Sequence, residues 1–141
     1  MNKFAVFILS HGRPTKIPTY RTIRRHGYTG KIWLILDNED VTVPAYEKKY
    51  PGETYVFDKS VAALITDTMD NEDHNKGVVF ARNMAWSIAE ELGLDYFIVL
   101  DDDYFDWRHI TNEYHNVTEH RTKIVDLDSA FGALVKFLDT T

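Results

Sequence analysis

The chain has 141 residues, a formal net charge of −6 and no cysteine. That length suits a single domain, and the absence of cysteine excludes disulfides, thiolate metal sites and cysteine nucleophiles. A net negative domain is a poor nonspecific ligand for a phosphate backbone, so a DNA partner would need a local basic patch or additional sequence.

The run Phe4 to Leu9 is short, continuous and apolar, and His11, Gly12 and Arg13 follow it without a small-residue cleavage pattern. It reads as a buried strand, not a signal peptide. Thr19 to His26 predicts a short helix, with Pro18 near its start and Gly27 ending it. Ile32 to Leu36 predicts a second strand, Val43 to Tyr50 a helix closed by Pro51-Gly52, and Tyr55 to Phe57 a third strand. Ser60 to Lys76 is polar, weakly periodic and acidic at Asp67, Asp70, Glu72 and Asp73, which predicts a mobile loop or irregular helix. The clearest helix is Val78 to Leu92, where Val78, Ala81, Ala85, Ile88, Ala89 and Leu92 form one stripe and Gly93 stands past the end. Tyr96 to Leu100 predicts a fourth strand, and Asp128 is the expected cap of a last helix from Ser129 to Leu138. No segment approaches the ~20 apolar residues of a membrane span, so no membrane partner is expected, and a cysteine-free chain suits the cytoplasm.

Strands that are apolar throughout belong to a sheet covered on both faces. Their alternation with helices predicts an α/β fold: a Rossmann-like three-layer α/β/α sandwich with a mostly parallel sheet in order 3-2-1-4. Ligands in such sheets bind beyond the carboxyl ends of the strands. Those ends carry Ser10-His11-Gly12-Arg13-Pro14, Asp37-Asn38-Glu39-Asp40, Asp58-Lys59-Ser60 and Asp101-Asp102-Asp103. Polar residues after strands are also ordinary loop composition, so the pattern locates a site without defining it.

Asp101-Asp102-Asp103 leaves a buried strand directly, and three adjacent carboxylates are costly to gather without a cation. Hard divalent cations take oxygen ligands, and Mg2+ commonly uses one or two carboxylates plus substrate phosphates. In an extended segment Asp101 and Asp103 share one side and Asp102 points away. A solvated acidic turn is the plainer reading of the same residues. Gly77 permits close backbone approach at the start of the long helix, and Arg82 and Asn83 lie in its first turns. A helix start with an arginine suits a diphosphate, although Arg82 also reads as a surface charge. Asp37 stands where a second-strand acid reads a ribose or base edge, or is simply a turn former beside Asn38. His11, Gly12 and Arg13 would frame the other side of a nucleotide. The remaining histidines lack metal-ligand spacing, and neither a nucleophile elbow nor a P-loop is present. Trp33, Trp86 and Trp107 read as packing residues.

Gly77 through Asn83, followed one strand later by Asp101 through Asp103, resembles the G-x-x-x-A-R-N and D-x-D elements of family-2-type GT-A glycosyltransferases. More narrowly, Phe7 through Pro14, Leu36 through Asp40 and Asp101 through Tyr104 resemble the phage TET-associated glycosyltransferases. The resemblance covers most of the chain to about Trp107. It implies a metal-dependent enzyme with Mn2+ or Mg2+ and a UDP-sugar donor, acting on hydroxymethylated pyrimidines in phage DNA within the cytoplasm of a bacterial host. Asp103 would be the direct metal ligand together with Asp101, which also faces the ribose or sugar. Asp37 would read the uracil or ribose, and Arg82 would hold the sugar or diphosphate. Ser10, His11, Gly12, Arg13, Asn83 and Asp102 complete the implied donor site. GT-A enzymes are usually longer, so residues 1–141 are expected to be one nucleotide-sugar-binding domain without the acceptor half. On that expectation DNA is not held through a basic face of this domain. The alternative is a nucleotide-sugar-binding or interaction module without turnover.

Overall fold

A computed structural model describes residues 3–65, 77–112, 119–124 and 126–141. Its elements in chain order are β1 (Phe4–Leu9), α1 (Pro18–Arg25), β2 (Lys31–Asp37), α2 (Val43–Lys49), β3 (Thr54–Phe57), α3 (Lys59–Ile65), α4 (Gly77–Glu91), β4 (Tyr96–Asp101), β5 (Arg108–Asn112), β6 (Glu119–Lys123) and α5 (Leu127–Asp139). Four strands form a wholly parallel sheet in the order β3-β2-β1-β4. That is the predicted α/β architecture and strand order.

Alternation along β1 builds the layers. Val6 and Ile8 enter a cluster with Ile23 of α1, Tyr46 of α2 and Leu127 and Phe131 of α5. Ala5, Phe7 and Leu9 enter the opposite cluster with Ala62 of α3 and Phe80, Ala85 and Ile88 of α4. Successive side chains leave a strand on opposite faces, so one apolar run serves both cores. Each large side chain buried this way contributes about 1.5–3 kcal/mol.

Pro18 occupies the first turn of α1, where its missing N–H costs nothing. Gly27, just past the end, has φ 92°, a left-handed conformation suited to glycine.

Three features differ from the sequence reading. The final helix is capped by Asp126, whose side chain accepts from the Ser129 amide at 3.1 Å and the Ser129 hydroxyl at 2.6 Å. Asp128 instead accepts from the Thr29 amide at 2.8 Å. Burying Leu127 completely draws it into the helix and moves the cap back two residues. Within 60–76, Lys59–Ile65 forms α3, whose first turn is secured by Asp58 accepting from the Ser60 amide at 2.9 Å and its hydroxyl at 2.6 Å. The rest of that acidic stretch lies outside the described residues. The antiparallel pair β5–β6 was not predicted. Its sequences, RHITN and EHRTK, hold one apolar residue between them and carry no strand-like alternation.

The cap assignment predicts that Asp126→Ala lowers the urea midpoint of unfolding. Asp126→Asn keeps an acceptor and should retain most of the stability; equal losses in the two variants would contradict the assignment.

Candidate active site

Strand β1 lies at the centre of the sheet, with Leu9 paired to Ile35 on one side and to Asp101 on the other. The chain segments leaving β1, β2 and β4 therefore emerge side by side. Between them is a cleft of about 330 Å³, lined by residues that include Ser10, His11, Arg13, Asp37, Arg82, Asp101, Asp102 and Asp103. This is the crevice at the carboxyl ends of the strands where doubly wound sheets bind ligands.

The three aspartates have different surroundings. Asp102 is only 9% exposed. One of its carboxylate oxygens accepts from the Ser10 hydroxyl at 2.8 Å, and the other lies 3.5 Å from the Arg13 guanidinium. Ser10 Oγ is also 2.7 Å from the Tyr46 hydroxyl, which accepts from the Arg13 amide at 2.8 Å. Ser10 spends its proton on Asp102, so Tyr46 donates to Ser10. The bonds run in one direction, from the Arg13 amide through Tyr46 and Ser10 to the Asp102 carboxylate. Burial raises the Tyr46 pKa above its ordinary value, so the phenol keeps the proton it donates.

Asp101 and Asp103 line the same cleft and are more exposed than Asp102. Asp101 Oδ1 is 2.5 Å from Arg82 Nη2, an ion pair whose side chains are 41% and 46% exposed. Asp103 is exposed. Their backbone is fixed from α1: the Thr19 hydroxyl donates to the Asp101 carbonyl at 2.6 Å and accepts from the Tyr104 amide at 2.8 Å. The Thr19 amide, an otherwise unpaired donor in the first turn of α1, reaches the Asp102 carbonyl at 3.4 Å. Thr22 donates to the Tyr104 carbonyl at 3.0 Å.

On the β2 side, buried Asp37 accepts from the Glu39 amide at 3.0 Å and lies 2.8 Å from His11 Nδ1. The His11 side chain is otherwise 61% exposed. A carboxylate on Nδ1 holds the ring orientation and favours the proton on that nitrogen, leaving Nε2 for a ligand. Gly12 turns with φ 66°, and its amide donates to Asp40 at 2.8 Å. Asn83 is exposed in the second turn of α4 and is absent from the cleft lining.

Sequence reasoning did not single out Tyr46, Thr19 or Asp40. All three act on backbone or through another side chain, and each has a partner far away along the chain. Asp40 sits within the loop after β2, but its Thr42 and Gly12 partners are visible only in the fold. Burial pushes the Asp40 carboxyl upward, and hydrogen bonds from the Thr42 hydroxyl and the Gly12 and Thr42 amides, with His11 adding attraction, outweigh it. Its pKa is held below the ordinary 3.8.

Two variants test this arrangement. Tyr46→Phe leaves the Arg13 amide and Ser10 without their partner and should cost about 1–3 kcal/mol in chemical unfolding; a neutral effect would contradict the hydrogen-bond chain. A depressed folded pKa gives stability above the unfolded value that is lost as pH falls through the folded one. The stability advantage of the native chain over Asp40→Asn should therefore hold above pH 3.8 and shrink below it; a pH-independent difference in acid unfolding would count against this.

Among the described residues, no helix is long and apolar enough to cross a membrane. Neither curated proteins nor solved structures gave a match. A family model described as TET-Associated Glycosyltransferase matches residues 4–141, nearly the whole chain. The chain therefore belongs to the TET-associated glycosyltransferase family, and it is a glycosyltransferase.

Proposed function

We propose that the enzyme takes a UDP-sugar with Mn2+ or Mg2+ in the cleft and transfers the sugar to the hydroxyl of a hydroxymethylated pyrimidine in DNA. The observation that carries the donor reading is the division of the aspartate triplet. All three line the cleft, but both Asp102 oxygens are engaged by Ser10 and Arg13, while Asp101 and Asp103 are more exposed and Asp101 pairs with Arg82. Family membership supports sugar transfer, and the acceptor is the one implied by the narrower sequence resemblance.

The donor set fits a hard cation. Among the described residues no group of three or more histidine or acidic side chains is arranged to hold a metal. Two accessible carboxylates suit an ion that completes its shell with phosphate oxygens and water. When bound, such a cation stabilises the charge developing on the leaving diphosphate.

Asp103 and Asp101 are the proposed ligands, with Asp101 also meeting the ribose or sugar. Arg82 is proposed to exchange its carboxylate partner for a diphosphate oxygen, which a guanidinium binds with paired N–H groups. Asp37 and the imidazole it orients are proposed to meet the nucleoside together. Gly12 and Arg13, held by Asp40 and Tyr46, supply the loop that closes that side. In the transfer, the acceptor oxygen forms a bond to the anomeric carbon as that carbon's bond to the diphosphate breaks, UDP leaves, and the hydroxyl proton passes to water.

Calorimetric titration of UDP and a UDP-sugar should show binding with Mn2+ that disappears in EDTA. It should weaken at least tenfold in Asp103→Ala, a loss of about 1.4 kcal/mol. Metal-independent binding of equal strength in Asp103→Ala would overturn this reading.

A further inference from the structure

The overall charge of −6 argues against a basic face, yet the fold gathers cations in a groove of about 980 Å³ along α1. Arg21, Arg24 and Arg25 come from the helix, Lys16 from the loop before it and Lys49 from the end of α2. Arg21, Arg24 and Arg25 are spaced i, i+3 and i+4, so they share a face and repel one another.

Carboxylates do little to relieve that repulsion. Arg24 lies 3.7 Å from Glu53 and is tied to the Tyr28 and Gly30 carbonyls. Arg25 donates to the Phe105 carbonyl, a neutral partner that leaves its charge uncompensated. Lys16, Arg21 and Lys49 are exposed and make no ion pair among the described residues.

We propose that this groove binds the phosphate backbone of duplex DNA and lays the acceptor strand past Asp103. The second part rests on the acceptor reading above; the first rests on the groove alone. The groove and the cleft meet at a shared ridge. Asp103, on the cleft side, is followed by Tyr104 and then by Phe105, which lines the groove. Thr22, from the groove lining, and buried Thr19, both of α1, fix that ridge.

The aromatics favour a grip on the backbone over base stacking. Tyr20 and Tyr50 pack on each other with centroids 4.7 Å apart, and Arg24 lies over the Tyr20 ring. Single-strand binders instead offer open aromatic faces to successive bases. A concave cationic surface also suits a duplex edge better than a flat anionic bilayer, and Phe105 is its single strongly exposed apolar side chain, at 71%.

The test is fluorescence anisotropy with a short labelled duplex of unmodified DNA, without donor or metal, across a salt series. Cosedimentation with phosphatidylglycerol vesicles runs in parallel. The native chain should bind the duplex with salt-sensitive affinity. Arg21→Glu/Lys49→Glu should lose about tenfold or more, and its salt slope should fall by about 2, one for each phosphate contact removed. Arg21→Lys/Lys49→Arg should retain binding. UDP affinity of the charge-reversed variant should be unchanged, which also reports an intact fold.

Unaltered DNA binding in the charge-reversed variant, or vesicle binding without DNA binding, would overturn the proposal. Failure of the groove while UDP binding still depends on Asp103 would leave the donor reading standing. Loss of DNA binding on charge reversal, with no UDP binding by any variant, would do the opposite.

Discussion

Burial of the Asp102 carboxylate is the constraint around which the carboxyl ends of the sheet are arranged. A carboxylate removed from water is tolerable only where hydrogen bonds replace its solvation. Ser10 and Arg13, both from the segment after β1, supply them, and Tyr46 of α2 locks Ser10 and the Arg13 amide into the same chain of donors. Asp102 and Asp103 lie in the turn after β4, and with Asp102 held by Ser10 and Arg13 its two neighbours are the more exposed carboxylates of the cleft. The Thr19 clamp on the Asp101 carbonyl and the Tyr104 amide prevents the segment from rotating the other way. The exposure of Asp101 and Asp103 is thus a consequence of what holds Asp102.

Much of the fold was legible because its longer strands are continuous apolar runs, buried along nearly all of β1 and partly buried along β4. Phe4 to Leu9 and Tyr96 to Leu100 are apolar throughout, and the structure assigns Phe4–Leu9 and Tyr96–Asp101 to strands. Helix α4 carried both a stripe and a terminal glycine, and it spans Gly77–Glu91. Where a strand carries no apolar alternation the signal vanished. The β5–β6 pair is held by backbone pairing, with almost no apolar alternation to announce it. The last helix was recognised but its cap was misplaced, because Asp126 and Asp128 are equally good caps in isolation. The burial of Leu127 decides between them.

The cleft was legible in a different way. Sequence order placed Ser10, Asp37 and Asp101 after strands, and the parallel register brings those ends together. Supports reached across the chain were invisible. Tyr46 lies 36 residues from Ser10 and looks like any core tyrosine of an amphipathic helix. Thr19 is 82 residues from Asp101 and reads only as a helix-start residue. Nothing local distinguishes a threonine that bridges two backbone groups from one that merely caps. Asn83 shows the converse: its place in a recognisable motif did not bring it into the cleft lining.

Rigid and exchangeable parts of the site are separated by burial. The chain from Arg13 through Tyr46 and Ser10 to Asp102 is anchored at buried Tyr46 and Asp102, so breaking it would leave buried polar groups short of partners. The pair between Arg82 and Asp101 is roughly half exposed, and pairs in that setting are worth only about 0–1 kcal/mol. Little free energy therefore opposes replacing each partner by a group of the same charge. Under the proposed donor reading a diphosphate takes the place of Asp101 on Arg82, and a cation takes the place of Arg82 on Asp101. On that reading the ion pair would hold both side chains near the positions the donor requires without competing strongly with it. Such an arrangement requires the backbone beneath it to stay fixed while the side chains change partners, and Thr19 and Asp102 meet that requirement from beneath the surface.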